Sequence, residues 1–203
     1  MSDTYSNYAE LAANEVEGTD YLITAVNRGS AEGKVIIGIH GGGIEGGTSE
    51  LTKEFAGTEH SYYLFEAIKS SGNTDLHITS TRFDEPKALA LVKSKAYGLS
   101  FHGYSDSTNK HTLIGGADHN KKLAVYQALT AAGFSAEVLG EDDPLAGADP
   151  DNIVNRVTSG AGVQLELSTA QRKAMFTDFT LKGREGSKTV EFFNYVKALR
   201  NAF

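Results

Sequence analysis

The sequence predicts an α/β fold, a three-layer α/β/α arrangement around a mixed, partly parallel sheet, with residues 1–203 forming one domain. Three observations predict it. Apolar runs of strand length alternate with stretches of helical spacing, the pattern of a sheet covered on both faces. Two of those runs end in a histidine followed by glycine and a third carries a glutamate among its apolar residues, so chemistry-bearing groups collect at strand ends, where ligands bind in open α/β sheets. The length of 203 residues, with 40% hydrophobic and 22% charged content, suits one sizeable core. There is no internal repeat or low-complexity tract.

The elements follow in order. Tyr21 to Val26 reads as a strand, and Val35 to His40 (VIIGIH) as a buried one. A helix is predicted from about Thr48 to Thr58, with Thr48 or Ser49 as N-cap and Leu51, Phe55 and Ala56 spaced for its inner face. Tyr62 to Phe65 and Leu76 to Ser80 read as short strands. Pro86 suits the first turn of a helix running to about Lys95, with Asp84 expected to cap it. Tyr97 to Tyr104 (YGLSFHGY) is strand-like, followed by a short strand at Thr112 to Ile114, an amphipathic helix from about Asp118 to Ala132 and a strand at Ala136 to Leu139. The run EDDPLAGADPD, residues 141–151, is a surface loop, after which Asp151 or Asn152 caps a short helix through Arg156. Gly160 to Ser168 (GAGVQLELS) alternates Val163, Leu165 and Leu167 with Gln164 and Glu166 as a strand does. The last helix, about Ser187 to Ala202, places Val190, Phe193, Val196 and Leu199 at helical spacing, predicted to face the core.

The most informative stretch is VIIGIHGGGIEGGTSE, residues 35–50. A rigid strand delivers His40 into a loop whose glycines permit positive φ and close backbone approach, so Glu45 can converge with His40 on one point. Zinc accepts imidazole nitrogen and carboxylate oxygen, and a catalytic zinc takes three protein ligands with one position open. His102, at the second His-Gly strand end, is the candidate for the third. Glu166 projects opposite the apolar residues of its strand, and a carboxylate among apolar neighbours is raised toward the range of a general base.

Composition narrows the classes. With no cysteine, disulfides, thiolate zinc sites and cysteine nucleophiles are excluded, and any metal is held by His, Asp or Glu. A net charge of −7 argues against nonspecific nucleic-acid binding. The polar, acidic start MSDTYSNYAELAANEVEG lacks the layout of a signal peptide, and no apolar run has membrane length, so a protein without a secretion signal and without a membrane span is expected.

The runs HGGGIEGGTSEL (His40 to Leu51), LHITSTRFDEP (Leu76 to Pro86), SFHGY (Ser100 to Tyr104) and DPDNIVNRVTSGAGVQLELSTAQR (Asp149 to Arg172) resemble the phage and bacillus poly-γ-glutamate hydrolase family. The resemblance covers nearly the whole chain. It implies a zinc-dependent hydrolase with a fold similar to zinc carboxypeptidases, cutting the γ-amide bonds of poly-γ-glutamate capsules, with zinc on His40, Glu45 and His102 and with Glu166 as general base. The first His and Glu stand five residues apart here, against three in zinc carboxypeptidases, so that likeness is architectural and does not carry over the substrate pocket.

The mechanism expected is attack on the γ-amide carbonyl by a water at the open zinc position, with Glu166 removing its proton and passing it to the leaving amine. Arg156, just before the Glu166 strand, is the first choice of cation for the oxyanion or a substrate α-carboxylate, and Arg82 the second; each reads equally as a structural ion-pair partner. His77 lines the cleft or is a satisfied inner histidine, and Tyr104 is placed to donate to an intermediate. The alternatives are a zinc amidohydrolase of small γ-glutamyl or N-acyl amino acids, using the same site, and a metal-stabilised binding module without turnover. A monomer is expected, acting on poly-γ-glutamate outside the cell after release by lysis.

Overall fold

The computed structural model describes residues 3–30 and 32–203. Its framework is a seven-stranded mixed sheet in the order β1-β3-β2-β4-β7-β5-β6. In chain order the elements are α1 (Tyr8–Asn14), β1 (Tyr21–Val26), β2 (Lys34–Gly42), α2 (Thr48–Ala56), β3 (Ser61–Ala67), α3 (Pro86–Val92), β4 (Tyr97–Tyr104), β5 (Thr112–Gly115), α4 (His119–Ala131), β6 (Ala136–Val138), β7 (Val163–Ser168), α5 (Thr169–Ala174) and α6 (Val190–Arg200). β3, β2, β4 and β7 run parallel. β1 and β5 are antiparallel to their neighbours, and β6 runs parallel to β5.

Side-chain alternation divides the strands between two cores. Leu99, Phe101, Val163, Leu165 and Leu167 pack with Leu51 and Phe55 of α2, Val125 and Leu129 of α4, and Phe192, Tyr195, Val196 and Leu199 of α6. Val35, Ile37, Ile39, Tyr63 and Phe65 face the other way, against Leu11 of α1, Leu91 and Val92 of α3, and Ile153 and Val154. The sheet is thus covered on both faces, as the near-continuous apolar runs of β2 and β7 require. Among the described residues no helix is long and apolar enough to cross a membrane.

The structure departs from the sequence pattern at four places. Leu76 to Ser80 is not a strand: a 3-10 turn spans Asn73–Leu76, and the following residues are extended outside the sheet. The alternation of Leu76 and Ile78 is real, because both are buried, but the backbone bonds to side chains instead of a ladder, with Thr79 N donating to Asp3 Oδ2 and Ile78 O accepting from His40 Nε2. The cap of α2 is Gly47, in left-handed conformation and without a side-chain cap; Thr48 Oγ1 donates back to the carbonyls of His40 and Glu45. Glu85, not Asp84, caps α3 by accepting from Ala88 N, while Asp84 accepts from Tyr8 N. In α6, Val190 and Phe193 are 74% and 48% exposed. Two helical stripes overlap in this sequence, and the one centred on Phe192, Tyr195, Val196 and Leu199 buries more aromatic area.

Candidate active site

His40 closes β2. Strict alternation from Ile36 would turn His40 toward α2, but the pairing of β2 with β3 shifts register between Gly38 and Gly41. Such an irregularity re-aims side chains at a strand end, and His40 instead meets Ile78 and His102. The glycine loop then doubles back. Glu45 N donates to His40 O at 2.9 Å, and Gly42 has φ +65°, with its backbone so close to β3 that a Cβ would overlap the Ala67 carbonyl oxygen. The glycines therefore serve close approach as well as turning. Two arginines from the C-terminal third clasp this loop: Arg184 Nη2 donates to Gly42 O at 2.6 Å and Arg172 Nη1 to Gly46 O at 2.9 Å. Arg184 also pairs with buried Glu50 at 3.1 Å.

β4 and β7 supply the other half of the site. Their register sets Ser100 beside Gln164 and His102 beside Glu166, on the face opposite Phe101 and Leu165. The carboxylate of Glu45 is steered by the Gly103 backbone, whose N–H donates to Oε2 at 2.8 Å. Arg172 lies directly behind Gly103, where a side chain would meet its guanidinium.

These placements bring three donors together. His40 Nδ1 is 3.1 Å from Glu45 Oε1 and 3.0 Å from His102 Nδ1, and His102 Nδ1 is 3.7 Å from Glu45 Oε2. Donors on a tetrahedral ion with bonds of about 2.0–2.2 Å stand roughly 3.3–3.6 Å apart, so these separations bracket one shared cation. The carbonyl of Ile78 can only accept, so His40 Nε2 carries the proton at their 2.9 Å contact and Nδ1 is left as a lone pair. His102 is buried with Nε2 unpartnered, and its polar contacts are with the other two donors. An imidazole buried this way is costly unless a further partner binds it. Two nitrogens and a carboxylate, without thiolate, suit zinc. His77 also offers a ring nitrogen within 4.8 Å of donor atoms of His40 and Glu45. The set with His102 is tighter, and His77 Nδ1 is held at 2.7 Å by Asp3 Oδ1.

Titration follows the crowding. Burial and the facing His40 hold His102 down to about 3. Burial alone would raise Glu45, but the attraction of His40 outweighs it and Glu45 falls to about 2. His40 is itself raised, because Glu45 overcomes the effect of burial. Glu166 is pushed up to about 8 by burial and then by the charge of Glu45.

All of this floors a cleft of about 690 Å³ lined by His40, Glu45, His77, His102, Tyr104 and Glu166 among others. The opposite wall is the loop 141–149, which contributes Glu141, Asp143 and Asp149. Arg82 is outside the lining, half exposed and bonded to Asp3 Oδ2 at 2.6 Å. Arg156 is not brought to the reacting face. Its Nε donates to Asp151 O at 2.9 Å and its Nη2 reaches Thr81 O at 3.5 Å, behind the cleft wall. Arg156 is not among the residues that line the cleft. The cation beside Glu45 and Glu166 is Arg172, and Arg184 holds the same glycine loop through Gly42 O; they lie 4 and 16 residues past Ser168, the last residue of β7, and only the folding of the C-terminal third onto the glycine loop identifies them. Asp3, which holds His77, Thr79 and Arg82 together, likewise carries no local signal.

Known proteins resemble this chain in sequence and fold. The family described as Poly-gamma-glutamate hydrolase matches residues 5–198. The SPbeta prophage-derived UPF0714 protein YoqZ of Bacillus subtilis (strain 168) is 47% identical over 199 residues, covering 98% of this chain and 70% of YoqZ. A solved structure of a bacteriophage poly-gamma-glutamate hydrolase superposes with a TM-score of 0.94 at 41% identity, covering 99% of this chain and 96% of that one. A structure of YndL described as apo and zinc-free superposes with a TM-score of 0.92 at 40% identity, covering 97% and 95%. The chain belongs to the poly-γ-glutamate hydrolase family of enzymes.

Proposed function

We propose that this chain hydrolyses the γ-glutamyl amide bonds of poly-γ-glutamate with the help of a zinc ion held by His40, Glu45 and His102. The observation that carries the reading is the convergence of those three side chains beside the buried carboxylate of Glu166. The family supports the substrate, and the description of the YndL structure as zinc-free supports the metal. Bound there, zinc supplies Lewis-acid activation of the amide carbonyl and of water.

The chain's own residues do the rest. Glu166 takes a proton from the attacking water and delivers it to the departing amine nitrogen, a role suited to a carboxyl raised to about 8. Gly103 N–H and Arg172 keep Glu45 ionised and aimed. His77, whose Nδ1–H is committed to Asp3, presents its other nitrogen as an acceptor for a substrate N–H. Tyr104, which burial keeps protonated, serves as a donor at the rim. Arg82 receives a substrate α-carboxylate from outside the acidic wall, which repels it. Phage and prophage relatives fit a role in capsule degradation outside the producing cell.

The test is release of amines and loss of viscosity from a poly-γ-glutamate solution, with metal content measured before and after chelation and after zinc is restored. Activity should vanish with the metal and return with it. Full activity in protein shown to be metal-free would overturn the reading, and turnover of small γ-glutamyl amides without loss of viscosity would redirect it to the small-substrate amidohydrolase.

A further inference from the structure

Glu166 does not stand alone in its pocket. Gln164 Nε2 donates to Glu166 Oε1 at 2.9 Å, Asn152 Nδ2 donates to Gln164 Oε1 at 2.8 Å, and Asn152 Oδ1 accepts from Val154 N at 3.1 Å. The three side chains are 2%, 5% and 6% exposed in the order Asn152, Gln164, Glu166. Amide side chains are ambiguous as to which end is oxygen, and the ambiguity is removed only by an anchor of known polarity. The anchor here is a backbone N–H, which can only donate. It forces Asn152 to turn its oxygen toward Val154 and its NH₂ toward Gln164. Gln164 must then answer with its oxygen, and its NH₂ is left for Glu166. Glu166 Oε1 is therefore an acceptor and carries no proton toward Gln164.

We propose that Gln164 is a positioning residue for Glu166, and that Asn152 fixes its orientation, so that the proton Glu166 shuttles resides on Oε2, the oxygen left to the cleft. Among the described residues no group of the protein is bonded to Oε2, and Glu166 lines the cleft. A donor held on Oε1 stops the carboxyl from rotating and leaves one oxygen for both halves of the shuttle: accepting a proton from water, then giving it to the leaving amine. The relay also ties the base to the 3-10 turn at Ile153–Arg156, so a side chain in a loop sets the aim of a strand residue. This rests on Glu166 being the shuttle.

The variant that tests it is Asn152→Asp. Its Oδ1 still accepts from Val154 N, which preserves the cap, but its other oxygen, when ionised, only accepts. Gln164 then turns its NH₂ toward position 152 and its oxygen toward Glu166, which pairs with it only when protonated on Oε1. The expected result is a fall in kcat of about tenfold to a hundredfold with KM, zinc content and melting temperature near wild type. In Gln164→Leu, which removes the donor without adding a charge beside Glu166, the ascending limb of the kcat–pH profile should move to higher pH, a shift that a merely structural role would not cause. Gln164→Leu should lose kcat similarly, and the double variant should fall no further than the worse single one, since both break one chain.

If either single variant, folded and zinc-loaded, keeps kcat and its pH limb within about twofold of wild type, the relay is wrong. Glu166→Gln separates the layers. Should it be inactive while the relay variants are unaffected, only the relay fails; should it remain active, the assignment of Glu166 fails and the relay with it.

Discussion

The Nδ1 atoms of His40 and His102, near the ends of β2 and β4, stand 3.0 Å apart. With the His40 proton placed on Nε2 by Ile78 O, this contact and Glu45 leave lone pairs converging on one point. A cation there should stabilise the fold strongly. Zinc at a thousand times its Kd is worth about 4 kcal/mol, or roughly 8–16 °C in melting temperature for a chain of this size. Thermal melts with zinc and with chelator measure it. His102→Ala should abolish the difference, and an undiminished shift in that variant would place the ion elsewhere.

Glu166→Gln removes the proton acceptor and keeps the shape. Turnover should fall by about a hundredfold to ten-thousandfold while zinc content stays at the wild-type level. Steady-state kinetics beside elemental analysis of the same sample decides it, and loss of zinc together with activity would make Glu166 a ligand instead.

Gly42 holds φ +65° with no room for a Cβ against Ala67. Gly42→Ala should cost about 2 kcal/mol or more in urea unfolding, from the left-handed backbone and the displaced strand contact together. Zinc affinity should fall with it, because this loop returns Glu45 to His40. Unchanged stability would show that the loop has other conformations available.

Arg184 and Glu50 form a buried pair, with side chains 4% and 8% exposed. Arg184→Ala strands the carboxylate and releases the Gly42 carbonyl, so about 3–5 kcal/mol of stability should be lost. Adding Glu50→Gln should recover part of it. No recovery in the double variant would mean that the carbonyl contacts of Arg184, more than the ion pair, hold the loop.

Metal-free protein should be most stable between pH 4.5 and 6.5. His102, lowered from 6.5 to about 3, contributes stability that is complete above pH 6.5 and lost as pH falls toward 3. Glu45, lowered from 4.5 to about 2, acts in the same direction at lower pH. Glu166, raised from 4.5 to about 8, contributes stability that is complete below pH 4.5 and lost as pH rises toward 8, and the raised His40 adds to that alkaline loss. Within the window His102 and Glu166 oppose each other. Melting temperatures across pH in chelator should trace a plateau falling on both sides, and zinc should reduce the alkaline decline, because His40 binds it deprotonated and its charge favours the Glu166 carboxylate. A metal-free melting temperature that climbs from pH 6.5 to 8 contradicts the burial of Glu166.

The family was legible from the resemblance of four long motifs, and local pattern was enough to read the fold class and the strands carrying His40, His102 and Glu166, because buried strands need long apolar runs and a turn needs its glycines, and both requirements are local. It was not enough for Leu76 to Ser80, whose buried alternation mimics a strand outside the sheet, or for the core face of α6, where two stripes satisfy the same period. Nor could it name Asp3, Arg172 and Arg184, or give Asn152 a part beyond its cap. Those positions are set by contacts across long stretches of chain, such as Arg172 on Gly46 and Asp3 on His77. The order of residues sets which groups are available to bind a metal and move a proton; which cations and amides aim them follows from the packed chain, because charge and hydrogen bonding act through space and leave no period in the sequence.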